Sequence, residues 1–470
     1  MKTKLLATLI ASALLVGCNS NDAEQTPEQV KFASFNVSFA HDGGATADYD
    51  QSYDQWVQYM SYTLDQQNEF IAEWKENNNE GVNNGYPNEN IAERIIQIRN
   101  IAAIIQKNRP DVLLLTEFNN DGTGSDYAAL QGFQKNYLSV PQSLNSVDGG
   151  DLLEPIHYPF VQNYATNTGL HSEMDLNNDG KIEPSNPDDA MGFGFYHGHY
   201  AFALMSKYEI DTANTRTFQH FKRKDLPGAV NPEINVCDGS KEIPEGMACG
   251  DTWFSADEWN VIPMSSKNHV DAPIIIPNKD GNKVIHALLA HPTPMGFNTV
   301  SDNNKHRNSD ENRFWHEYIK GGETIYDDAG TQGGFTGESF VIMGDLNADA
   351  EFGDATDARF DGVYELMNDS RVHQAVAHVG HEFTPESTGA VAENNDKGHP
   401  YPEARTAVFG SRVDYAVPSA DLEVLNTGVY WQAENEEGRL LFNDSRIGKY
   451  GNSKEVSSDH RFVWSTVKVN

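Results

Sequence analysis

Apolar residues in this chain fall into short runs, and several runs close on a polar group able to do chemistry. Residues 32–35 lead to Asn36, and 112–116 lead to Glu117. Residues 285–290 lead to His291, and 340–343 lead through Gly344 to Asp345 and Asn347. Val413 and residues 415–417 bracket Asp414, and Asp459-His460 stands just ahead of Phe462-Val463-Trp464. Runs of this length, bounded by turn residues, read as strands. Strand termini of a rigid sheet can hold polar groups at fixed separations. Residues 200–208 read as a further strand.

Helical spacing appears between these runs. Ile91, Ile95, Ile98, Ala102 and Ile105 share one face of a predicted helix that packs on the sheet. Asn90 with Glu93 is the expected capping pair, and Arg109-Pro110 the stop. Residues 48–80 carry Tyr53, Trp56, Tyr59, Tyr62, Phe70 and Trp74 and read as a helical insertion. Residues 313–319 read as a helix leading to the Gly344 strand. The strand motifs spread over the whole length without repeat or linker, so one α/β sandwich is expected rather than two domains. Its long insertions lie near 48–88, 120–195 and 211–272 and are expected to build the rim of a site.

Composition adds location. Met1-Lys2-Thr3-Lys4, a short apolar stretch and Leu15-Val16-Gly17-Cys18 read as an export signal, residues 1–18, whose end resembles a bacterial lipobox. Cys18 is then the lipidated residue, 19–29 a polar tether, and 30–470 the folded domain. Asn19 after the Cys favours the outer membrane of a Gram-negative cell, so the chain is expected in the periplasm or at the cell surface. The remaining cysteines, Cys237 and Cys249, are expected to form a disulfide in an oxidising compartment. The formal charge of −35 disfavours a polymeric nucleic acid as partner.

Taken in order, Asn36, Glu117, His291, Asp345-x-Asn347, Asp414 and Asp459-His460 resemble the endonuclease/exonuclease/phosphatase superfamily, from about Val30 to Asn470. That resemblance implies a four-layer α/β/β/α sandwich of two mainly antiparallel sheets. It implies one or two divalent cations, Mg²⁺ or Mn²⁺, on Glu117, Asn36 and Asp459, since hard cations prefer such oxygens. Asp345 then polarises the attacking water or is shared with a second metal, and Asn347 donates to water or phosphate. His460 lies over the phosphate, oriented by Asp414, and His291 assists, with His286 as its rival.

Two constellations lie in the insertions. Asp175, Asn177, Asp179 and Glu183, with Gly180 at the turn, follow a calcium-loop pattern for a structural Ca²⁺, although Asn186 replaces the last acid and Asp188 or Asp189 would have to substitute. A polar turn is the competing reading. Lys267, His269, Arg307 and Asn308, with Glu311, resemble secreted bacterial members, and their donors would clamp a phosphate; surface ion pairing is the alternative. His197 and His199 are further candidates for site or metal contacts, with a packed or exposed loop histidine as the favoured reading. The sequence thus points to a metal-dependent hydrolase of small phosphomonoesters or phosphodiesters serving phosphate scavenging. A nuclease is the second reading, and a non-catalytic surface binding lipoprotein the third.

Overall fold

The computed structural model describes residues 26–39, 52–77, 88–393, 398–447 and 456–469. The export signal, Cys18 and most of the tether lie outside them, as do residues 40–51 and 78–87. No helix among the described residues is long and apolar enough to cross a membrane.

Among the described residues, twelve strands form two six-stranded sheets. The first contains β1 (Gln29–Asn36), β2 (Val112–Thr116), β3 (Phe160–Asn163), β4 (Phe202–Ser206), β11 (Val424–Tyr430) and β12 (Phe462–Lys468), in the order β11-β12-β1-β2-β4-β3. The second runs β10-β9-β8-β7-β5, with β6 also pairing to β7. These are β5 (Glu209–Ile210), β6 (Arg216–Thr217), β7 (His269–Ile276), β8 (Lys283–Ala290), β9 (Ser339–Asp345) and β10 (Asp414–Pro418). Among the strands of the described residues, only β1–β2 and β8–β9 are parallel pairs. The mainly antiparallel sandwich read from the sequence is the one observed.

Period-two alternation explains the layering. Phe32 of β1 and Val112 and Leu114 of β2 face the other sheet, where they join Ile274, Leu288 and Val341 in one core. Ala33, Phe35, Leu113 and Leu115 point the other way, onto Ile98, Ile101 and Ile105 of the Glu89–Asn108 helix. The Asn303–Ile319 helix places Phe314, Trp315 and Tyr318 in the main core.

The Glu89–Asn108 helix starts earlier than expected. Its N-cap is Asn88, whose amide binds Glu73 rather than the helix end, so Asn90 and Glu93 lie inside the helix. Arg109 ends it in the left-handed conformation, φ 48°, as the Arg-Pro stop predicts. Helices Tyr53–Ser61 and Leu64–Asn77 occupy the aromatic insertion, with Trp56 and Trp74 buried. Cys237 and Cys249 are joined by a disulfide in the third insertion.

Candidate active site

The polar strand ends converge at one end of the sandwich. Asn36 closes β1 in register with Thr116, so Glu117 emerges beside it. Asp414 opens β10 directly opposite Asp345, which closes β9. His291 follows β8 at Ala290, the partner of Gly344. The loop ahead of β12 brings in Asp459 and His460. Three backbones here turn through the left-handed region: Ser38 (φ 50°), Glu117 (φ 59°) and Asn347 (φ 51°). Such strain is held only where the surroundings over-determine it.

Asp345 is the hub. Its Oδ2 accepts from Asn36 Nδ2 at 3.0 Å and lies 3.5 Å from His291 Nε2 and 3.6 Å from His460 Nε2. Its Oδ1 accepts the Asn347 backbone N–H at 2.9 Å. Asn36 Nδ2 also donates to Glu117 Oε1 at 3.0 Å, while its Oδ1 accepts from Ser38 N. Asn36 therefore presents its NH₂, not its oxygen, to the two carboxylates. To serve as the oxygen ligand expected from the sequence, the amide would have to rotate.

His460 Nδ1 pairs with Asp414 Oδ2 at 2.9 Å. Burial disfavours the imidazolium, but Asp414, Asp345 and Asp459 together outweigh it and hold His460 well above the usual histidine range. Burial, reinforced by Lys267, pushes His291 down to about 4, so it is neutral at pH 7. Burial would raise Asp345, yet His460, His291 and Asn36 hold it below the usual carboxylate range. Glu117 is pushed up to about 7 by burial and then by Asp459.

That crowding of acids is the test of fit for a cation. Glu117, His291 and Asp345 each offer an atom within one ion's reach, as do Asp345, Asp414 and His460. Asp459 is in neither grouping; its Oδ1 accepts from Ser38 Oγ at 2.5 Å and lies 4.0 Å from His460 Nε2. Buried carboxylates that raise one another's pKa are relieved by a divalent oxygen-seeking ion. The residues present fit Mg²⁺ or Mn²⁺.

The second constellation divides. Arg307 donates to the carbonyls of Met191 (2.7 Å) and Pro263 (3.2 Å), and Asn308 to those of Thr293 (2.7 Å) and Leu346 (3.0 Å). His269 is closed off between Ser265 Oγ and the Glu311 carbonyl. These three brace the walls with the donors that were expected to grip phosphate, because the long insertions bury carbonyls that need partners. They are not surface ion pairs either. Lys267 differs. Its buried ammonium meets the Pro292 carbonyl at 3.3 Å and feels Glu311, Glu117 and Asp345, while burial draws its pKa down. Glu311 ties the same walls together, accepting from Ser266 and Thr293 backbone N–H groups.

Asn347 Nδ2 donates to the Pro292 carbonyl at 3.0 Å, locking the Asp345 turn to the His291 turn. His286 lies away from this cluster, paired with Asp271 at 2.6 Å. In the calcium-type loop, Asp175 and Asp179 turn their carboxylates onto nearby backbone N–H groups, and Asp189 caps those of Leu176 and Glu183. Asp175, Asp179, Glu183, Asp188 and Asp189 form no three-ligand grouping there. His197 binds the Thr166 carbonyl and His199 is buried among aromatic rings, as expected for packed histidines.

Sequence reasoning missed Ser38 and Thr406. Ser38 links Asn36 to Asp459, and Thr406 Oγ1 accepts from the backbone N–H groups of Val413 and Asp414. Ser38 was findable as a hydroxyl residue two positions past Asn36. Thr406 carried no local signal.

The profile of the Endonuclease/Exonuclease/phosphatase family matches residues 33–460, and the chain belongs to that family of phosphoester hydrolases. No curated protein matches the chain by sequence. Among solved structures it is similar to a Bacteroides thetaiotaomicron member of the family (12% identity, 94% of this chain, 99% of that chain, TM-score 0.40). A Beutenbergia cavernae member gives 13% identity, 94% and 72% coverage, and a TM-score of 0.39. A mannosyl-6-phosphatase from Bacteroides thetaiotaomicron gives 11% identity, 94% and 100% coverage, and 0.36.

Proposed function

We propose that this is an exported, lipid-anchored, metal-dependent hydrolase of small phosphomonoesters or phosphodiesters. The observation that carries the reading is Asp345 Oδ2, set 3.5–3.6 Å from two imidazoles of opposite character. Asp345, held ionised, orients and polarises the attacking water. His460, held protonated by Asp414, donates from Nε2 to a phosphoryl oxygen. His291, neutral, stands on the other side of Asp345 and serves the leaving group or a phosphoryl oxygen. Lys267 adds a positive charge behind Pro292. Mg²⁺ or Mn²⁺ held by Glu117, with Asp345 or Asp459, would neutralise charge on the transferring phosphoryl group.

The anchor rests on Cys18 and its lipobox, and the choice of a small substrate on the −35 charge. A structural Ca²⁺ in the 175–189 loop is part of the same proposal. It requires the Asp175 and Asp179 carboxylates to turn from backbone to ion.

The test compares p-nitrophenyl phosphate, bis-p-nitrophenyl phosphate and plasmid DNA, with metal-stripped protein given Mg²⁺, Mn²⁺ or Ca²⁺. Metal-dependent ester turnover without DNA cutting is expected. DNA cutting at low salt would instead make the protein a nuclease, and no turnover of any substrate would overturn the enzymatic reading.

A further inference from the structure

Residues 191–200 pack backbone against backbone along the rim of this site. Gly192 donates to the Asn167 carbonyl at 3.0 Å and accepts from Gly169 N at 2.8 Å; a Cβ on Gly192 would strike the Ser266 carbonyl. At the other end, Gly198, φ 98°, leaves no room for a Cβ against the Asn120 carbonyl. Tyr200 N donates to Asn119 Oδ1 at 3.1 Å. Asn119 is two residues past Glu117, and Ser266 is next to Lys267, so the loop bridges both sides of the phosphoryl site.

A loop fixed this closely nonetheless turns two large apolar side chains outward. Phe193 and Phe195 are 47% and 48% exposed, with ring centroids 5.6 Å apart and planes at 77°. Phe193 lies 6.3 Å from the Tyr200 ring. Phe193 is thus linked through Tyr200 to Asn119, two residues past Glu117. Rings held rigidly and left open to solvent can bind planar partners at little entropic cost.

Resting on the proposed phosphoesterase site, we infer that Phe193 and Phe195 form a leaving-group subsite for the base of a nucleoside phosphate, which stacks on one ring and meets the other edge-on. The phosphoryl group enters among Asp345, His291 and His460 while the base meets the phenyl rings. A polymeric nucleic acid is disfavoured by the −35 charge. A single nucleotide carries far less charge than a polymer and one planar base, which matches a patch of two rings.

The experiment compares adenosine 5′-monophosphate with ribose 5-phosphate, which share one leaving oxygen and differ by the base. The kcat/KM ratio is expected to favour the nucleotide by at least about tenfold, the scale of one base–aromatic stack. In F193A/F195A, and in F193L/F195L, which keeps apolar bulk, that ratio is expected to fall to within about twofold of unity. A wild-type ratio near one, or a preference unchanged in both variants, overturns the subsite. Adenosine is also titrated onto the protein by calorimetry, a readout that needs no turnover. Adenosine binding lost in both variants supports the subsite even if the phosphoesterase reading fails. No adenosine binding, or binding to phosphatidylcholine vesicles in its place, overturns it.

Discussion

At the residue scale, two histidines of one site are driven in opposite directions by their neighbours. His460 has Asp414 behind it, whereas His291 has no partner for Nδ1 and a lysine nearby. Removing Asp345 takes away the acceptor both rings face. Asp345→Ala is expected to lower kcat by about 10²–10⁴-fold with little change in thermal stability, checked by steady-state kinetics and a melting curve. Asn308 acts through the backbone. It is fully buried and ties the His291 and Asp345 turns together, so Asn308→Ala removes a donor from the Thr293, Leu346 and Asn347 carbonyls. Of the carbonyls Asn308 serves, Leu346 keeps Asn312 as a donor while Thr293 and Asn347 lose this one, so a loss of about 1–3 kcal/mol in urea unfolding is expected, accompanied by weaker activity.

His269 gives a pH signature away from the cation site. Burial holds its folded-state pKa at about 4, below the ordinary histidine value of about 6.5. The unfolded chain therefore takes up a proton that the folded chain refuses as pH falls between those values. Stability from this group is complete above about pH 6.5 and is lost on acidification, by up to about 3 kcal/mol. Unfolding at pH 7 and pH 4.5 should show a smaller difference in His269→Gln than in the parent.

At the element scale, the site was legible because strands end where the chemistry begins. Asn36, Glu117, His291, Asp345 and Asp414 each sit at or just past the end of an apolar run, so period and termination together located them. The roles of Arg307, Asn308 and His269 were not legible. Their partners are carbonyls of Met191, Thr293 and Glu311, and residue type alone does not say which carbonyls an insertion will bury. Asn90 as a capping residue failed because the true N-cap, Asn88, is engaged by Glu73 from a neighbouring helix, a contact distant from the local pattern. The insertion around Cys237–Cys249 is stapled against a small cluster of Ile234, Trp253 and Val300. Opening a loop of this length is expected to cost about 2–3 kcal/mol, read as a lower melting temperature in reductant, with the Cys237→Ser/Cys249→Ser variant reproducing the shift.

At the scale of the whole molecule, two sheets facing across one core bring β1 and β2 from one side and β8, β9 and β10 from the other to a common end. Neither sheet alone carries the site: Asn36 and Glu117 belong to the first, and Asp345, Asp414 and His291 to the second. On the proposed reading, the −35 charge favours small esters over a polyanion as substrate. The most direct measurement is the rate of p-nitrophenyl phosphate hydrolysis by metal-stripped protein as Mg²⁺ is added, beside Asp345→Ala at equal concentration. A rate that rises from background and saturates with Mg²⁺ in the parent, and stays at background in the variant, is predicted. A rate independent of metal, or equal in parent and variant, would contradict catalysis by Asp345 in a cation-dependent site.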